Sequence, residues 1–164
     1  MKVALNDSEE RLARRLAAGR SESDTQKQDQ KIGEKADFDT DYIGVIAEIA
    51  AAKALNVYPD LHLDGPEDVD VIIPTKNGST CSVDVKATEH EDGHLLAPTW
   101  KQYRNPADIF MLGIVERSGE KESCQLVGWV WAEDLFTDDN IKNFGYGPTF
   151  GMSESELEPM DKLI

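Results

Sequence analysis

The chain has few of the features that mark secreted or membrane proteins. Its only two cysteines, Cys81 and Cys124, fall in separate strand-like stretches, so we expect neither a disulfide framework nor a structural zinc site. It has no apolar run of about 18 residues, the length that a membrane-spanning helix needs. The opening MKVALNDSEE also lacks the hydrophobic core of a secretory signal. We therefore predict a cytoplasmic protein with no membrane association and two free, buried thiols.

Positive charge is also scarce. The chain has 17 Lys and Arg residues against 32 Asp and Glu residues, a net charge of −15. Residues 1–37 are neutral, with eight basic and eight acidic side chains, so the whole excess lies in residues 38–164. Within the neutral part, RLARRLAAGR would suit contact with a phosphate backbone, or an amphipathic helix that packs through Leu12 and Leu16. The acidic excess would suit a salty habitat or an acidic protein partner or, in a module without catalysis, a basic partner or mimicry of nucleic acid.

Hydrophobic residues form 40% of the chain, which is typical of a globular protein. We predict that residues 1–37 form an N-terminal helical arm. Its helix covers 8–19, between a capping Ser8 and a terminating Gly19, and the polar linker SESDTQKQDQKIGEK follows. Residues 38–164 are predicted to form the main domain.

Periodicity and turn residues predict the elements of that domain. A helix over 39–56 begins at Asp39 or Thr40 and ends at Asn56, and an Asn-Gly pair then marks a hairpin. The hairpin strands and later strands are DVDVIIP, STCSVDVKAT, GHLLAPTW, ADIFMLGIVER and SCQLVGWVW, followed by a helical turn at AEDLF and a loop-rich end over 138–164. This order predicts an α/β fold around one sheet.

The stretch CSVDVKATEH places an acid and a base on one face of an apolar strand. Because side chains alternate along a strand, Val83 and Val85 point one way while Asp84 and Lys86 point the other. A solvent-exposed face would explain this pattern without any function. Chemistry would require further polar groups from the opposing strand, and their position depends on the hairpin turn.

Two turn lengths fit the Asn-Gly pair. A two-residue loop pairs positions 76 and 79, which puts Asp70 and Asp84 on opposite faces. A three-residue loop, with Gly78 left-handed in a bulge, pairs 75 with 79 and sets Asp70 across from Asp84. The same register sets Asp68 across from Lys86. Both loops are common, so the sequence leaves the choice open.

Only the three-residue loop would build a metal site. Two carboxylates ~5 Å apart on a sheet repel each other, so we expect a divalent cation between them. Mg²⁺, with Mn²⁺ as a substitute, takes hard oxygen ligands and keeps waters for a phosphate substrate. Lys86 could then orient or deprotonate the attacking water. Asp68 competes with Asp70 as the ligand, and we favour Asp70 because it enters the apolar run.

Glu48 is the only charged residue in the helical stretch IGVIAEIAAA. Its neighbours three and four positions away are glycine, valine and alanine, so the carboxylate faces a packed surface unless it lies at the helix edge in solvent. A buried carboxylate needs a cation. Both environments are compatible with the sequence.

The ordered set of Glu48, Asp70 and Asp84-x-Lys86 resembles the PD-(D/E)XK nuclease superfamily. IGVIAEIAAAKAL is similar to the Gly-x-x-Gly-Glu helix of its phage and mobile-element members, although Ala47 replaces the second glycine. ADIFMLGIVER and VGWVWAEDL resemble the strands that follow. The resemblance covers most of the chain and implies a restriction-endonuclease-like mixed β-sheet flanked by helices.

The resemblance also implies a function, which is Mg²⁺-dependent hydrolysis of DNA phosphodiester bonds in the cytoplasm, that of the host cell if the chain is phage-encoded. Asp70 and Asp84 would be the principal metal ligands, Val85 would offer its backbone carbonyl, Glu48 would complete the site and Lys86 would act on the water. Many members of this fold act as homodimers. The alternatives are an inactive acidic module that binds a protein or mimics DNA, and a phosphohydrolase of small substrates.

We predict no specific catalytic role for the other polar residues. His90 and His94 flank a turn, where exposure is the default. In WKQYRNP, the side chains of Lys101, Tyr103 and Arg104 either contact substrate phosphates or extend from a loop along apolar surface.

Overall fold

The computed structural model describes residues 1–24, 37–62, 69–75, 77–104, 106–117, 120–145 and 147–163. These residues form nine strands and three α-helices, and a 3₁₀ helix covers Thr99–Tyr103. The strands are β1 (Lys2–Ala4), β2 (Val71–Pro74), β3 (Thr80–Thr88), β4 (Leu95–Pro98), β5 (Ile109–Glu116), β6 (Ser123–Trp131), β7 (Ile141–Asn143), β8 (Pro148–Met152) and β9 (Glu158–Pro159); the helices are α1 (Asp7–Asp24), α2 (Asp37–Ala54) and α3 (Ala132–Leu135).

The main sheet is mixed, with strand order β1-β6-β5-β3-β2 and β9 paired to β6. Only β3 and β5 run parallel, and the other pairs are antiparallel. A smaller antiparallel sheet has the order β4-β8-β7. The predicted α/β class is therefore confirmed, but the prediction of a single sheet is wrong, because β4, β7 and β8 form a second one.

The main sheet separates two hydrophobic cores. Strand β5 shows this most clearly, because its side chains alternate between them. Ile109 and Met111 join the core formed with α1 and α2, whereas Phe110 and Leu112 join the core formed with β4 and β8 of the small sheet. A strand covered on both faces is apolar throughout, which explains the continuous run predicted for this segment.

Helix α2 lies close to the sheet at one glycine. A Cβ atom placed on Gly113 would lie 2.7 Å from Sγ of Cys124 and 3.1 Å from Cβ of Ala47. The backbones of β5 and α2 can approach this closely only because position 113 has no side chain. Ala47 immediately precedes Glu48, so this contact helps to fix the depth of that residue.

The N-terminal segment packs against the rest of the fold. Strand β1 pairs with β6, and Leu16 of α1 joins the core under α2, as its amphipathic pattern predicts. The prediction that Ser8 caps this helix and that Gly19 ends it is wrong. Asn6 caps α1 by accepting hydrogen bonds from the N–H groups of Ser8 and Glu9, and the helix continues through Gly19 to Asp24. Glu9 reciprocates by accepting from the N–H of Asn6, which makes Asn6 the stronger cap.

Most other predicted elements are present with slightly different bounds. Helix α2 ends just before a left-handed Asn56 (φ 54°), as predicted. The end of the chain is more regular than expected, because β7, β8 and β9 lie in the stretch predicted to be loop-rich. Both cysteines are buried and free, as expected. Asp68 and most of the predicted linker lie outside the described residues.

Candidate active site

The hairpin between β2 and β3 adopts the three-residue loop. Val71 pairs with Val83 and Pro74 with Thr80, and the N–H of Thr75 donates to the carbonyl of Ser79 (2.8 Å). Gly78 is left-handed, with φ +85°. This is the bulged turn that brings Asp70 towards Asp84, so the alternative that the sequence left open is resolved in its favour.

Asp70 is attached to β3 by both its backbone and its side chain. Its N–H donates to the carbonyl of Val83 (2.9 Å), and its Oδ2 accepts from the N–H of Val85 (2.7 Å). These two contacts lie on either side of Asp84. The carboxylate of Asp70 is therefore fixed at the edge of the sheet, at the level of Asp84. Val85 contributes its N–H to this contact, and the role of its carbonyl as a metal ligand stays a prediction.

Asp84 is the most deeply buried acid in the site, with 1% of its surface exposed. Nζ of Lys86 lies 2.6 Å from its Oδ1, and Lys101 donates a hydrogen bond to its Oδ2. Asp84 pairs with Phe110 across the parallel ladder, so it lies on the small-sheet face, where Lys101 reaches it from the 3₁₀ helix. Two ammonium groups thus stabilise one buried carboxylate.

Glu48 reaches the site from the opposite, helix-covered face. Its side chain is only 7% exposed, and its Oε1 accepts a hydrogen bond from Nη1 of Arg20 in α1 (2.7 Å). Its Oε2 is buried without a hydrogen-bond partner among the described residues. The solvent-exposed position that the sequence allowed for Glu48 is therefore wrong.

The three carboxylates influence one another through Asp70. Burial raises the pKa of Asp70 well above its ordinary value, and the negative charges of Glu48 and Asp84 raise it further, against the opposing effects of Lys86 and the Val85 N–H. Burial would lower the pKa of Lys86, but the charges of Asp84 and Asp70 outweigh it and raise that pKa. Lys86 is thus held as an ammonium ion between two acids.

The site contains as many acidic as basic side chains. It contains three carboxylates, those of Glu48, Asp70 and Asp84, and three cations, those of Arg20, Lys86 and Lys101. The donor chemistry suits a hard divalent cation, because carboxylate oxygens are its preferred ligands and one buried Glu48 oxygen lacks a partner. In the described part of the chain, however, no three His, Cys, Asp or Glu side chains are gathered closely enough to hold a metal ion.

The three carboxylates lie apart because Glu48 and Asp84 approach from opposite faces of the sheet, with the edge residue Asp70 between them. Each Asp84 oxygen also lies beside a lysine ammonium group: Oδ2 accepts a hydrogen bond from Lys101, whereas Oδ1 forms an ion pair with Lys86 without hydrogen-bond geometry. A metal ion would therefore have to replace at least one ammonium group at Asp84. Asp70 and Asp84 are the pair best placed for it.

Lys101 has a role that neither sequence expectation described. It does not extend along a loop surface, because only 5% of it is exposed, and its ammonium group contacts Asp84 rather than solvent. Tyr103, by contrast, is 81% exposed, and the guanidinium of Arg104 lies over the ring of Trp100 (5.2 Å). His90 is exposed as expected, while His94 is half-buried beside Phe144.

Arg20 is the main residue of the site that sequence reasoning did not place there. It is the last of the four arginines in RLARRLAAGR, and only its helical position could distinguish it. Arg20 lies four residues after Leu16, which is buried, so it lies near the core-facing side of α1. Arg14 and Arg15 are exposed. The spacing of Arg20 from Leu16 could therefore have predicted that Arg20, unlike Arg14 and Arg15, faces the interior.

Comparison with family models, with curated proteins and with solved structures gives no significant match to this chain. In the described part of the chain, no helix is both long and apolar enough to cross a membrane.

Proposed function

We propose that this chain is a divalent-metal-dependent DNA nuclease of the PD-(D/E)XK type, with Mg²⁺ as the cofactor and Mn²⁺ as a substitute. The observation that carries the proposal is the bulged hairpin, which fixes Asp70 beside Asp84 with Lys86 paired to Asp84. The buried Glu48 on α2 adds the fourth member of the motif. The restriction-endonuclease-like fold and a phage or mobile-element origin belong to the same proposal.

Each residue has a role in this chemistry. Asp70, Asp84, the carbonyl of Val85 and, directly or through water, Glu48 would hold the ion. When bound, Mg²⁺ supplies positive charge that stabilises the phosphate oxygens in the transition state. Lys86 orients the attacking water and stabilises the developing charge at phosphorus. One water is consumed, its oxygen bonds to phosphorus as the bond to the 3′-oxygen breaks, and the leaving 3′-oxygen is protonated.

Lys101 supports this arrangement without contacting the reacting atoms. Its ammonium group, buried against Asp84, stabilises the ionised carboxylate in the absence of metal. If Lys86 moves from Asp84 towards the substrate, Lys101 still compensates the buried charge. Lys101 therefore allows Lys86 to leave Asp84 and act on the attacking water.

The experiment is cleavage of supercoiled plasmid and of single-stranded DNA in Mg²⁺ or Mn²⁺, with EDTA as the negative control. We expect Lys86→Ala and Asp84→Asn to lose at least about 100-fold in rate. Lys121→Ala removes a lysine that is exposed and pairs only loosely with Asp7 (3.6 Å), so it should cleave normally. Full activity in Lys86→Ala, or no cleavage by the unmodified chain in either metal, would contradict the proposal.

A second candidate function, an acidic module for a basic partner, is favoured by a separate groove of about 700 Å³. Five carboxylates line it against only two guanidinium groups, and the stacked rings of Phe38 and Tyr42 lie beside them. The carboxylates belong to Asp39, Glu89, Glu91, Glu116 and Glu122, and the guanidinium groups to Arg14 and Arg117.

Arg14 shows how the groove can hold a cation. Its guanidinium group lies over the Tyr42 ring (5.1 Å) and contacts Glu122 (3.5 Å), which is a favourable arrangement for arginine. Binding of an arginine-rich peptide, measured by calorimetry, tests this candidate. Binding should weaken in Glu91→Gln and persist in Asp161→Asn, an exposed acid outside the groove. If the peptide binds both variants equally, the groove is not its site.

A further inference from the structure

We propose that Arg20 is a substrate-binding residue of the candidate active site, whose guanidinium group binds a DNA phosphate once a divalent cation occupies the acidic residues. This inference rests on the proposed nuclease function and names a residue outside the PD-(D/E)XK motif. It makes helix α1 part of the active site.

The first support is position. Arg20 is the more accessible partner of its ion pair, with 22% of its side chain accessible against 7% for Glu48. Burial would lower the pKa of Arg20, but its hydrogen bond to Glu48 and the charges of Glu48, Asp70 and Asp60 raise it. The guanidinium group therefore lies within electrostatic reach of Asp70 and is accessible from solvent.

The second support is chemistry. The bond to Glu48 uses one of the five N–H donors of the guanidinium group. The same planar group that binds a carboxylate also binds a phosphate, with two parallel hydrogen bonds where the geometry allows. Arg20 can therefore exchange one oxyanion for the other without a change of protonation.

The third support is charge. In the metal-free site Arg20 pairs with Glu48, and Lys86 and Lys101 pair with Asp84, so each cation already contacts a carboxylate. A divalent cation adds two positive charges and competes with Arg20 for the oxygens of Glu48. The guanidinium group would then be released for a phosphate while the site gains positive charge. Phosphate binding is thereby coupled to metal loading.

The test is binding of a fluorescent oligonucleotide, followed by anisotropy with Ca²⁺ in place of Mg²⁺ over a series of salt concentrations. We expect Arg20→Ala to weaken binding about tenfold, and to reduce the slope of log affinity against log salt by about one, because one phosphate contact is lost. Arg20→Lys should keep the slope, since it keeps the charge, and lose about threefold in affinity with the bidentate geometry. Arg15→Ala, an exposed arginine of the same helix, is the matched control and should bind normally.

The salt slope separates binding from a purely structural role, because destabilising the fold does not remove a phosphate contact. If folded Arg20→Ala has the slope and affinity of the unmodified chain, or if Arg15→Ala loses as much, the inference is wrong while the nuclease function stands. If Arg20→Ala does not fold, Arg20→Lys decides, and unchanged affinity in that variant overturns the inference. If the unmodified chain neither binds nor cleaves DNA, the proposed function fails and the inference fails with it.

Discussion

Lys101 donates a hydrogen bond to Asp84 where both side chains are almost completely removed from solvent. The pair joins the 3₁₀ helix after β4 to the centre of β3. A buried ion pair of this kind adds little net stability compared with an apolar pair, but the loss of one partner leaves an uncompensated charge. The consequences of changing either residue should therefore be large.

We expect Lys101→Met to lower the free energy of unfolding by about 3 kcal/mol, because Asp84 then keeps only the ammonium group of Lys86. Denaturant unfolding monitored by circular dichroism measures this. Lys121→Met is the matched control, since its side chain is 54% exposed, and it should change stability by less than about 0.5 kcal/mol. Equal effects of the two substitutions would show that the Lys101 contact does not stabilise the fold. For the same reason, Asp84→Asn should be destabilising whichever function is correct.

Asp70 should limit the stability of the metal-free protein. Because its pKa is raised in the folded state, folding is favoured below the ordinary carboxyl pKa, and that contribution is lost as the pH rises through the raised value. We expect Asp70→Asn to raise the midpoint of thermal unfolding at about pH 8 in EDTA, and to have little effect at about pH 3.

Thermal melts at the two pH values check this prediction. Asp161→Asn, which changes an exposed acid, serves as the control and should have little effect at either pH. A lower midpoint for Asp70→Asn at the higher pH would mean that the charge of Asp70 stabilises the fold through Lys86 and Arg20, which is the opposite of our expectation.

Gly78 should control the register of the hairpin. A valine at this position would be strained at φ +85°, at a cost of about 1–2 kcal/mol, whereas asparagine tolerates the left-handed region. We expect Gly78→Val to be destabilised and to weaken the hydrogen bond from the Val85 N–H to Asp70, while Gly78→Asn stays close to the unmodified protein. Amide hydrogen exchange at Val85 reports that bond directly. Unchanged protection of this amide in Gly78→Val would show that the conformation of the turn does not control the hydrogen bond between Val85 and Asp70.

The pH dependence of stability should also have a contribution from the C-terminal region. Glu156 accepts hydrogen bonds from the N–H and hydroxyl groups of Ser153 and pairs with Lys142. These contacts lower the pKa of Glu156 to about 2, so they stabilise the fold above the ordinary glutamate pKa, and the effect is lost as the pH falls towards 2. Glu156→Gln should therefore be less stable than the unmodified chain at neutral pH and equally stable near pH 2.

Unfolding free energies measured across this pH range test the prediction, with Glu154→Gln, two residues away, as the control. A difference that is constant with pH would mean that the charge of Glu156 is not responsible.

The sequence predicts the elements that depend on local patterns. Helix α2, the two hairpin strands and the buried β5 follow from periodicity and turn residues, and Glu48, Asp70, Asp84 and Lys86 follow from a motif. The length of the hairpin turn does not follow from the sequence, because an Asn-Gly pair fits both the two-residue and the three-residue loop. The structure adds hydrogen bonds between the side chains of Thr75, Asn77 and Ser79, which are local contacts that a two-residue loop would rearrange.

The remaining parts depend on packing between distant segments. Arg20 meets a partner 28 positions away and Lys101 one 17 positions away. No spacing rule links such pairs, so their roles emerge only when α1 and the 3₁₀ helix are placed on the sheet. Strand β8 was not predicted because proline and glycine interrupt its apolar pattern, and it is stabilised by Phe150 and Met152, which share a core with Phe110 and Leu112. Strand β7 is largely exposed and is held by its pairing with β8.

The missing side chain at Gly113 has a consequence for how this protein tolerates mutation. One methyl group there would lie too close to Sγ of Cys124 (2.7 Å) and tight against Cβ of Ala47 (3.1 Å), so we expect both to shift and Ala47 to carry its neighbour Glu48 with it. If the chain is a nuclease, a random-mutagenesis screen should therefore recover inactive variants at Gly113, which lies on β5 rather than on the strand of Asp84 and Lys86. The positions of the polar residues alone would not explain such variants.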